Sequence, residues 1–273
     1  MQQMIYDANP HFIWRKTQEN RKAGSLVGFN HYDDSMVITC LFRGTGNLWV
    51  EGHNTRMEEG DLLLLNPQEF HRGFFDAHPR HERLSIYIHH SITDGFPIEG
   101  DSLLSAFYDR APGQYNVIPA RILQALHIRQ LLESMRCPED GYGAVLLQCQ
   151  VLQMMLLLKQ AVKLAQALPP HSVTNKSAAR AIEYINGHLT EDLSTASIAE
   201  ALFIDKSYLC RVFKKYTGAT IGDYVSQKRV DYAARLLAEG ATCADACYRS
   251  GFSNYSSFYR YYKRCKGSIP KEK

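Results

Sequence analysis

Between Met36 and His90 the apolar positions come in short runs, each ended within a few residues by a glycine or proline turn. Met36–Arg43 (MVITCLFR) is rich in β-branched and aromatic residues and predicts a strand. Gly44-Thr45-Gly46 predicts a turn, and Asn47–Glu51 (NLWVE) the return strand. Gly52-His53-Asn54 and Glu59-Gly60-Asp61 turn the chain twice more. Leu62–Leu65 is then an unbroken apolar strand, stopped at Asn66-Pro67. Phe70–Phe75 and Leu84–His90 complete the set. Short strands this closely spaced predict a small antiparallel barrel or sandwich. Residues 1–35 read as a mixed polar arm, and residues 1–20 as a candidate cover for the barrel mouth.

Beyond Asp101 the apolar period lengthens to that of a helix. Ala120–Met135 places Ile122, Leu126, Leu131 and Leu132 at helical intervals and reads as one helix. Ala144–Ala167 is a longer helix, apolar around much of its circumference in its first half. Such a helix needs cover on more than one side, from its own domain and from a second copy of the chain. The longest apolar run, near Val151–Leu158, is interrupted by Gln153 and is shorter than a bilayer span. Pro169-Pro170 and the small polar residues after them read as a linker. The predicted architecture is α+β with two domains. Residues 1–168 form the antiparallel barrel and its helices, 169–176 the linker, and 177–273 an all-α domain.

The all-α part repeats itself. SYLCRVFKKYTG (207–218) aligns with SSFYRYYKRCKG (256–267) at an offset of 49. Arg211 then matches Arg260, Lys214 matches Lys263, Lys215 matches Arg264, and Leu209 and Phe213 match Phe258 and Tyr262. The helix before each copy corresponds at an offset of 48, which puts Ala199 on Cys247 and Asp205 on Ser253 as helix caps. Gly222–Glu239 is an amphipathic connector between the copies. Each copy reads as helix, tight turn, basic helix, which is the helix-turn-helix plan for the DNA major groove. Two such units on one connector can enter successive grooves, about 34 Å apart.

Phe258, Tyr261 and Tyr262 are expected to pack inward. Asn254, Tyr255, Ser256 and Arg260 take the outward early side of the second copy as base readers, and Lys263 and Lys266 hold phosphate. The matching set in the first copy is Lys206, Ser207, Cys210, Arg211 and Lys214.

Charge sharpens this division. Residues 171–273 carry 16 Lys+Arg against 10 Asp+Glu, a net of +6, whereas residues 1–170 carry 15 against 18, a net of −3. An acidic front and a basic back suit a sensor joined to a polyanion binder. The seven cysteines include no C-x-x-C pair, which fits reduced thiols, and the N-terminus shows no apolar signal-peptide core. A cytoplasmic protein with no membrane partner is the expectation.

The segment from about Ala178 to Pro270 resembles the DNA-binding domain of AraC/XylS transcription regulators. The family pattern A-x-x-x-G-F-x-x-x-x-x-F-x-[RK]-x-F-K-[KR]-x-x-G-x-x-P is met in register by Cys247, Gly251, Phe252, Phe258, Arg260, Tyr262, Lys263, Arg264, Gly267 and Pro270. Cys247 stands for the usual Ala and Tyr262 for the usual Phe. The front of the chain resembles the cupin-like sensor of the same family. Gly60–His71 looks like its second cupin motif and Arg43-Gly44-Thr45-Gly46 like its R-G-x-G turn.

A cupin enzyme would need two His and a Glu ahead of a His such as His71, and His31-Tyr32-Asp33 supplies one His only. Neither a metal, another cofactor nor catalysis is therefore expected, although a metal-dependent cupin enzyme fused to a DNA-binding module stays as a second reading. A constitutive repressor with a non-sensing barrel is a third.

The resemblance implies an effector pocket in the barrel. Arg43, Trp49 and His71 are the candidate contacts: Arg and His for hydroxyls or a carboxylate, the indole for a sugar face. Each has a plainer role open to it, as turn residue, core residue and strand cap respectively. The implied protein is a homodimeric, ligand-responsive activator of carbohydrate or related catabolic genes that binds double-stranded DNA and contacts RNA polymerase.

Overall fold

In the computed structural model, which describes residues 2–21, 26–31, 35–67, 69–93, 103–168, 172–266 and 269–271, the chain divides into two compact units, Met1–Val173 and Thr174–Lys273. The division falls inside the stretch that reads as a linker.

The first unit is built on strands β1 (Gln2–Asn9), β2 (Phe12–Arg21), β3 (Leu26–His31), β4 (Met36–Arg43), β5 (Gly46–Val50), β6 (His53–Met57), β7 (Leu62–Leu65), β8 (His71–Phe75), β9 (His78–Ile88), β10 (Val117–Ile118) and β11 (Ser172–Thr174). They form a six-stranded sheet, β1-β2-β9-β4-β7-β10, and a five-stranded sheet, β11-β6-β5-β8-β3. β11 takes part of the expected linker into the second sheet. The His31-Tyr32-Asp33 segment lies outside the described residues, apart from the backbone of His31.

Strand alternation sorts the core into two layers. Even positions of β4, β7 and β9, such as Ile38, Leu62, Leu64, Leu84 and Ile86, pack against helices. Odd positions, such as Val37, Leu41, Leu63 and Leu65, meet Leu48, Val50, Met57 and Phe75 of the second sheet. β4 is thus buried on both faces, and its sequence reads as a continuous apolar run rather than an alternating one.

The expectation of a polar arm over residues 1–35 does not hold. β1 and β2 form a hairpin, and β2 pairs with β9 from Phe12↔Ile88 to Arg21↔His78. Phe12 and Trp14 are buried at alternate positions, and the charges between them disguised a half-buried strand. A segment held by a full ladder is no cover for the barrel mouth.

Helices α1 (Ser105–Tyr108), α2 (Ala120–Ala125), α3 (Ile128–Ser134) and α4 (Gly141–Gln166) follow. The single helix expected over Ala120–Met135 breaks at His127, which has left-handed backbone, φ 55°. α4 starts at Asp140, whose side chain accepts from Gly143 N–H. With 26 residues and a mean hydropathy of 1.5 over its most apolar window, α4 has the length and composition of a membrane span, contrary to expectation. It does not need one: Leu147, Val151, Met154, Met155, Leu158, Ala161 and Val162 bury one side against the sheet's helical layer.

A buried clasp closes the loop after β7. Glu69 receives Arg110 Nη2 at 2.6 Å, Gly113 N–H at 2.9 Å and Asn116 Nδ2 at 3.0 Å. Burial pushes the Glu69 carboxyl up, but the Arg110 guanidinium and the N–H donors outweigh it and hold the acid below its ordinary range.

The second unit is α5 (Lys176–Gly187), α6 (Thr195–Ala201), α7 (Lys206–Thr217), α8 (Ile221–Ala238), α9 (Cys243–Arg249) and α10 (Tyr255–Lys266). Side chains cap them: Asn175, Ser194, Asp205, Thr220 and Thr242 accept from backbone N–H groups at the starts of α5 to α9. α10 is capped by Asn254, which accepts from Ser257 N–H at 2.8 Å, and not by Ser253 as the sequence suggested. Asn254 is therefore the counterpart of Asp205, at the same offset of 49 as the helices they open.

Candidate nucleic-acid interface and effector cavity

The two basic helices leave their units in the same way. α6 ends with Phe203 N–H bonding Glu200 C=O at 3.0 Å and Ile204 N–H bonding Ala199 C=O at 2.9 Å. α9 ends with Gly251 N–H on Tyr248 C=O at 3.0 Å and Phe252 N–H on Cys247 C=O at 3.2 Å. Phe203 and Gly251 both take left-handed backbone, φ 55° and 92°. This cap turns the chain sharply into the next helix. The second turn is one residue longer, which accounts for the offset of 48 before it and 49 after it.

Below each turn lies a packed face. In α7, Leu209, Val212, Phe213 and Thr217 are buried, and Phe213 meets Tyr224 of α8 edge-on at 5.4 Å. In α10 only Phe258 is fully buried. It packs with Val230, Ala233, Leu236, Leu237, Ala246, Cys247 and Phe252. Tyr262 stacks edge-on against Phe258 at 5.5 Å but stays half-buried, so it is not the core aromatic that the sequence suggested.

Above the packed face the expected readers line up. Lys206, Ser207, Cys210, Arg211 and Lys214 are exposed on α7, and Asn254, Tyr255, Ser256, Arg260 and Lys263 are exposed at and along α10. Lys266 is the exception. Its Nζ lies 3.1 Å from the Asp231 carboxylate on α8, with side-chain exposures of 15% and 2%. It closes a largely buried ion pair, so it is removed from the phosphate-holding set. The signal was in the repeat: at the offset of 49, Lys266 falls on Thr217, which is fully buried. Arg264 is also engaged, 3.0 Å from Asp223. Among the described residues no ion pair is recorded for Lys206, Arg211, Lys214 or Lys215.

In the first unit, the inward face of the two sheets forms a half-open cavity of about 90 Å³. Val37, Leu48, Leu63, Leu65 and Phe75 give it apolar walls, and Thr39, His71, Arg83, Ser85 and Tyr87 supply polar groups. Thr39 and Ser85 share a hydrogen bond of 2.9 Å. Of the three expected contacts, only His71 lines this cavity, and its Nδ1 sits 2.9 Å from the Glu69 carbonyl.

Trp49 is one residue out of phase with Leu48 and Val50. It is buried on the other side of β5, edge-on to Phe70 at 5.6 Å. Arg43 is half-exposed, 4.0 Å from Glu82, and faces a separate cleft with Trp14, Lys16 and Arg129. Both leave the cavity set. Arg83 was missed, because β9 begins at His78 rather than Leu84 and its first half carries charges that hide the strand period. Among the described residues no group of three or more His, Cys, Asp or Glu stands within metal-binding reach.

Comparison with known proteins places both halves. Residues 17–167 match the model of the AraC-like ligand binding domain, and residues 198–273 that of a helix-turn-helix domain. The chain belongs to the AraC family of transcription regulators. It is a two-domain α+β member of that family, with a ligand-binding domain and a DNA-binding helix-turn-helix region.

It is 26% identical over 230 residues to the HTH-type transcriptional regulator YbfI of Bacillus subtilis, covering 83% of this chain and 80% of that protein. It is 20% identical over 244 residues to the regulator SACOL0084 of Staphylococcus aureus, but spans only 31% of that protein's length. Over 91 residues it is 35% identical to the probable transcriptional regulator LumQ of Photobacterium leiognathi, 32% of this chain and 36% of that one. Among solved structures, fatty-acid-bound ToxT of Vibrio cholerae aligns over 97% of this chain and 95% of its own, at 13% identity and a TM-score of 0.41. The C-terminal domain of AraT from Geobacillus stearothermophilus aligns over 35% and 81%, at 28% identity and a TM-score of 0.34.

Proposed function

We propose that this AraC-family member is a cytoplasmic, ligand-responsive activator that reads operator DNA with α7 and α10. The observation that carries the reading is the equivalent outward placement of Arg211 with Arg260 and Lys214 with Lys263, each pair on a helix whose other face is buried. Residues near the helix starts, Lys206 and Ser207 on α7 and Asn254, Tyr255 and Ser256 on α10, reach base edges. The lysines and arginines further along hold phosphate.

The effector occupies the cavity between the sheets and must favour one arrangement of the protein over another. The active form is a homodimer joined through α4, which exposes Tyr142, Val145, Leu146, Cys149, Leu156 and Leu164. The stripe runs from Tyr142 to Leu164, about 33 Å of helix, and a second copy of the same helix matches it in length and chemistry. Activation follows from contact with RNA polymerase beside the promoter. The sugar expectation leaned on an indole in the cavity, and Trp49 is not there.

The test is footprinting of the full chain on a site selected from random duplexes, with promoter transcription measured in parallel. Protection of two successive major grooves on one DNA face, together with effector-dependent transcription, is expected. Protection of a single groove, or transcription falling when the protein is added, would overturn the reading.

A further inference from the structure

We infer that Arg229, on α8, is the positioning residue that fixes the two recognition helices at one spacing and one angle. The inference rests on the reading that α7 and α10 enter successive major grooves, and adds what holds them in register with the duplex.

Each helix-turn-helix packs on its own stretch of α8. Phe213 of α7 meets Tyr224 near the start of that helix. The core around Phe258 draws on Val230, Ala233, Leu236 and Leu237 further along it. A shared helix sets where the two motifs sit along its axis. Packed apolar contacts still allow small sliding and rocking of the elements above them, unless something ties those elements directly.

Arg229 lies between the two stretches and makes such a tie. Its Nε donates to the Leu189 carbonyl at 2.9 Å and its Nη2 to the Glu191 carbonyl at 2.6 Å. Both carbonyls belong to the loop between α5 and α6, which leads into the first helix-turn-helix. The same guanidinium backs onto the turn of the second. A Cβ on Gly251 would stand 2.9 Å from Arg229 Nε, 2.8 Å from Leu189 O and 2.9 Å from Thr190 Cα. One side chain thus pins loop and turn together, main chain against main chain. Its planar fork offers two donors in fixed geometry, so it sets an angle as well as a distance.

The first turn shows that this close fit is not needed to make the turn itself. Phe203 holds the position equivalent to Gly251 with the same left-handed backbone, and it is 95% exposed. What sets Gly251 apart is the junction with Leu189, Thr190 and Arg229. Two binding elements held at a fixed separation engage the second groove as an intramolecular event. Loosening them lowers the affinity for the paired site and also the penalty for a wrong spacing.

The test uses the full chain and the duplex selected with the wild-type protein, together with two derivatives of that duplex. One has a base pair inserted between the protected grooves, and the other has the sequence of one groove replaced. The insertion shifts one groove by about 3.4 Å and turns it by about 35°. The wild type should lose about tenfold in affinity on insertion. Arg229→Ala should bind the intact duplex about tenfold more weakly than wild type, lose less than about threefold more on insertion, and match wild type on the half-replaced duplex. Arg229→Lys, which keeps the charge without the fork, should fall between the two.

A full insertion penalty in Arg229→Ala, or equal weakening on the intact and half-replaced duplexes, would overturn the positioning role while leaving the two-groove reading in place. If circular dichroism shows Arg229→Ala to be unfolded, Arg229→Lys carries the test, and a wild-type insertion penalty in that variant would overturn the role. A wild-type chain that protects one groove and pays no insertion penalty would overturn the two-groove reading and this role with it.

Discussion

The two helix-turn-helix units share a backbone and differ in what their residues are committed to. The second fits the family pattern position by position, yet much of that pattern is interior. Cys247, Phe252, Phe258 and Pro270 are buried, and Gly251 is wedged where a Cβ would stand 2.8 Å from Leu189 O. Arg264 and Lys266 are held by Asp223 and Asp231. The first unit matches the pattern loosely but keeps Lys206, Arg211, Lys214 and Lys215 facing water. The pattern thus describes how a unit packs, and a close match says little about how much charge the unit offers to DNA. The looser copy offers more.

The largest test of this contrast is Lys266→Ala. It leaves Asp231 buried without its lysine, and the loss should be about 3–5 kcal/mol of unfolding free energy. Lys263→Ala, three residues earlier and exposed, should change stability by less than about 0.5 kcal/mol. Chemical denaturation of the two variants compares them, and an equal, small effect would mean that Lys266 is free after all.

The turn residues come next and should respond with opposite sign. Gly251→Ala puts a Cβ into Leu189 O and Thr190 Cα in a left-handed backbone, and should cost about 2–3 kcal/mol. Phe203 occupies the equivalent left-handed position with 95% of its surface exposed. Phe203→Gly relieves the strain and removes no packing, so it should stabilise by about 0.5–1 kcal/mol. A loss of stability in Phe203→Gly would show that the two turns are not equivalent.

Aromatic truncations in α10 are a finer probe. Phe258→Ala should cost about 3–5 kcal/mol, whereas half-buried Tyr262→Ala should cost about half as much. Equal losses in thermal melts would restore Tyr262 to the core.

The sequence made the repeat, the basic faces and the central strands legible, because each leaves a period. MVITCLFR and LLLL are strands on any reading, and Arg211 with Arg260 announces itself through the offset. Three features were hidden for physical reasons. β2 and the first half of β9 carry Arg15, Lys16, Glu82 and Arg83, charges that a barrel can bury only in mutual reach, and they broke the apolar alternation that marks a strand. Trp49 fell on the wrong face because a one-residue phase decides the side of a strand, and two adjacent buried positions, Leu48 and Trp49, do not reveal which is inward. Lys266 resembled a surface lysine because its partner, Asp231, is 35 residues away on α8.

The most direct test of the division of labour between the units is the salt dependence of operator binding. The full chain would be compared with a first-unit variant, Arg211→Ala/Lys214→Ala/Lys215→Ala, and a second-unit variant, Arg260→Ala/Lys263→Ala. Each lost phosphate contact lowers the slope of log K against log salt by about 0.9, so the first variant should lose about 2.7 and the second about 1.8. A wild-type slope in either variant, or a larger loss from the second unit than from the first, would contradict the placement of DNA against these two helices.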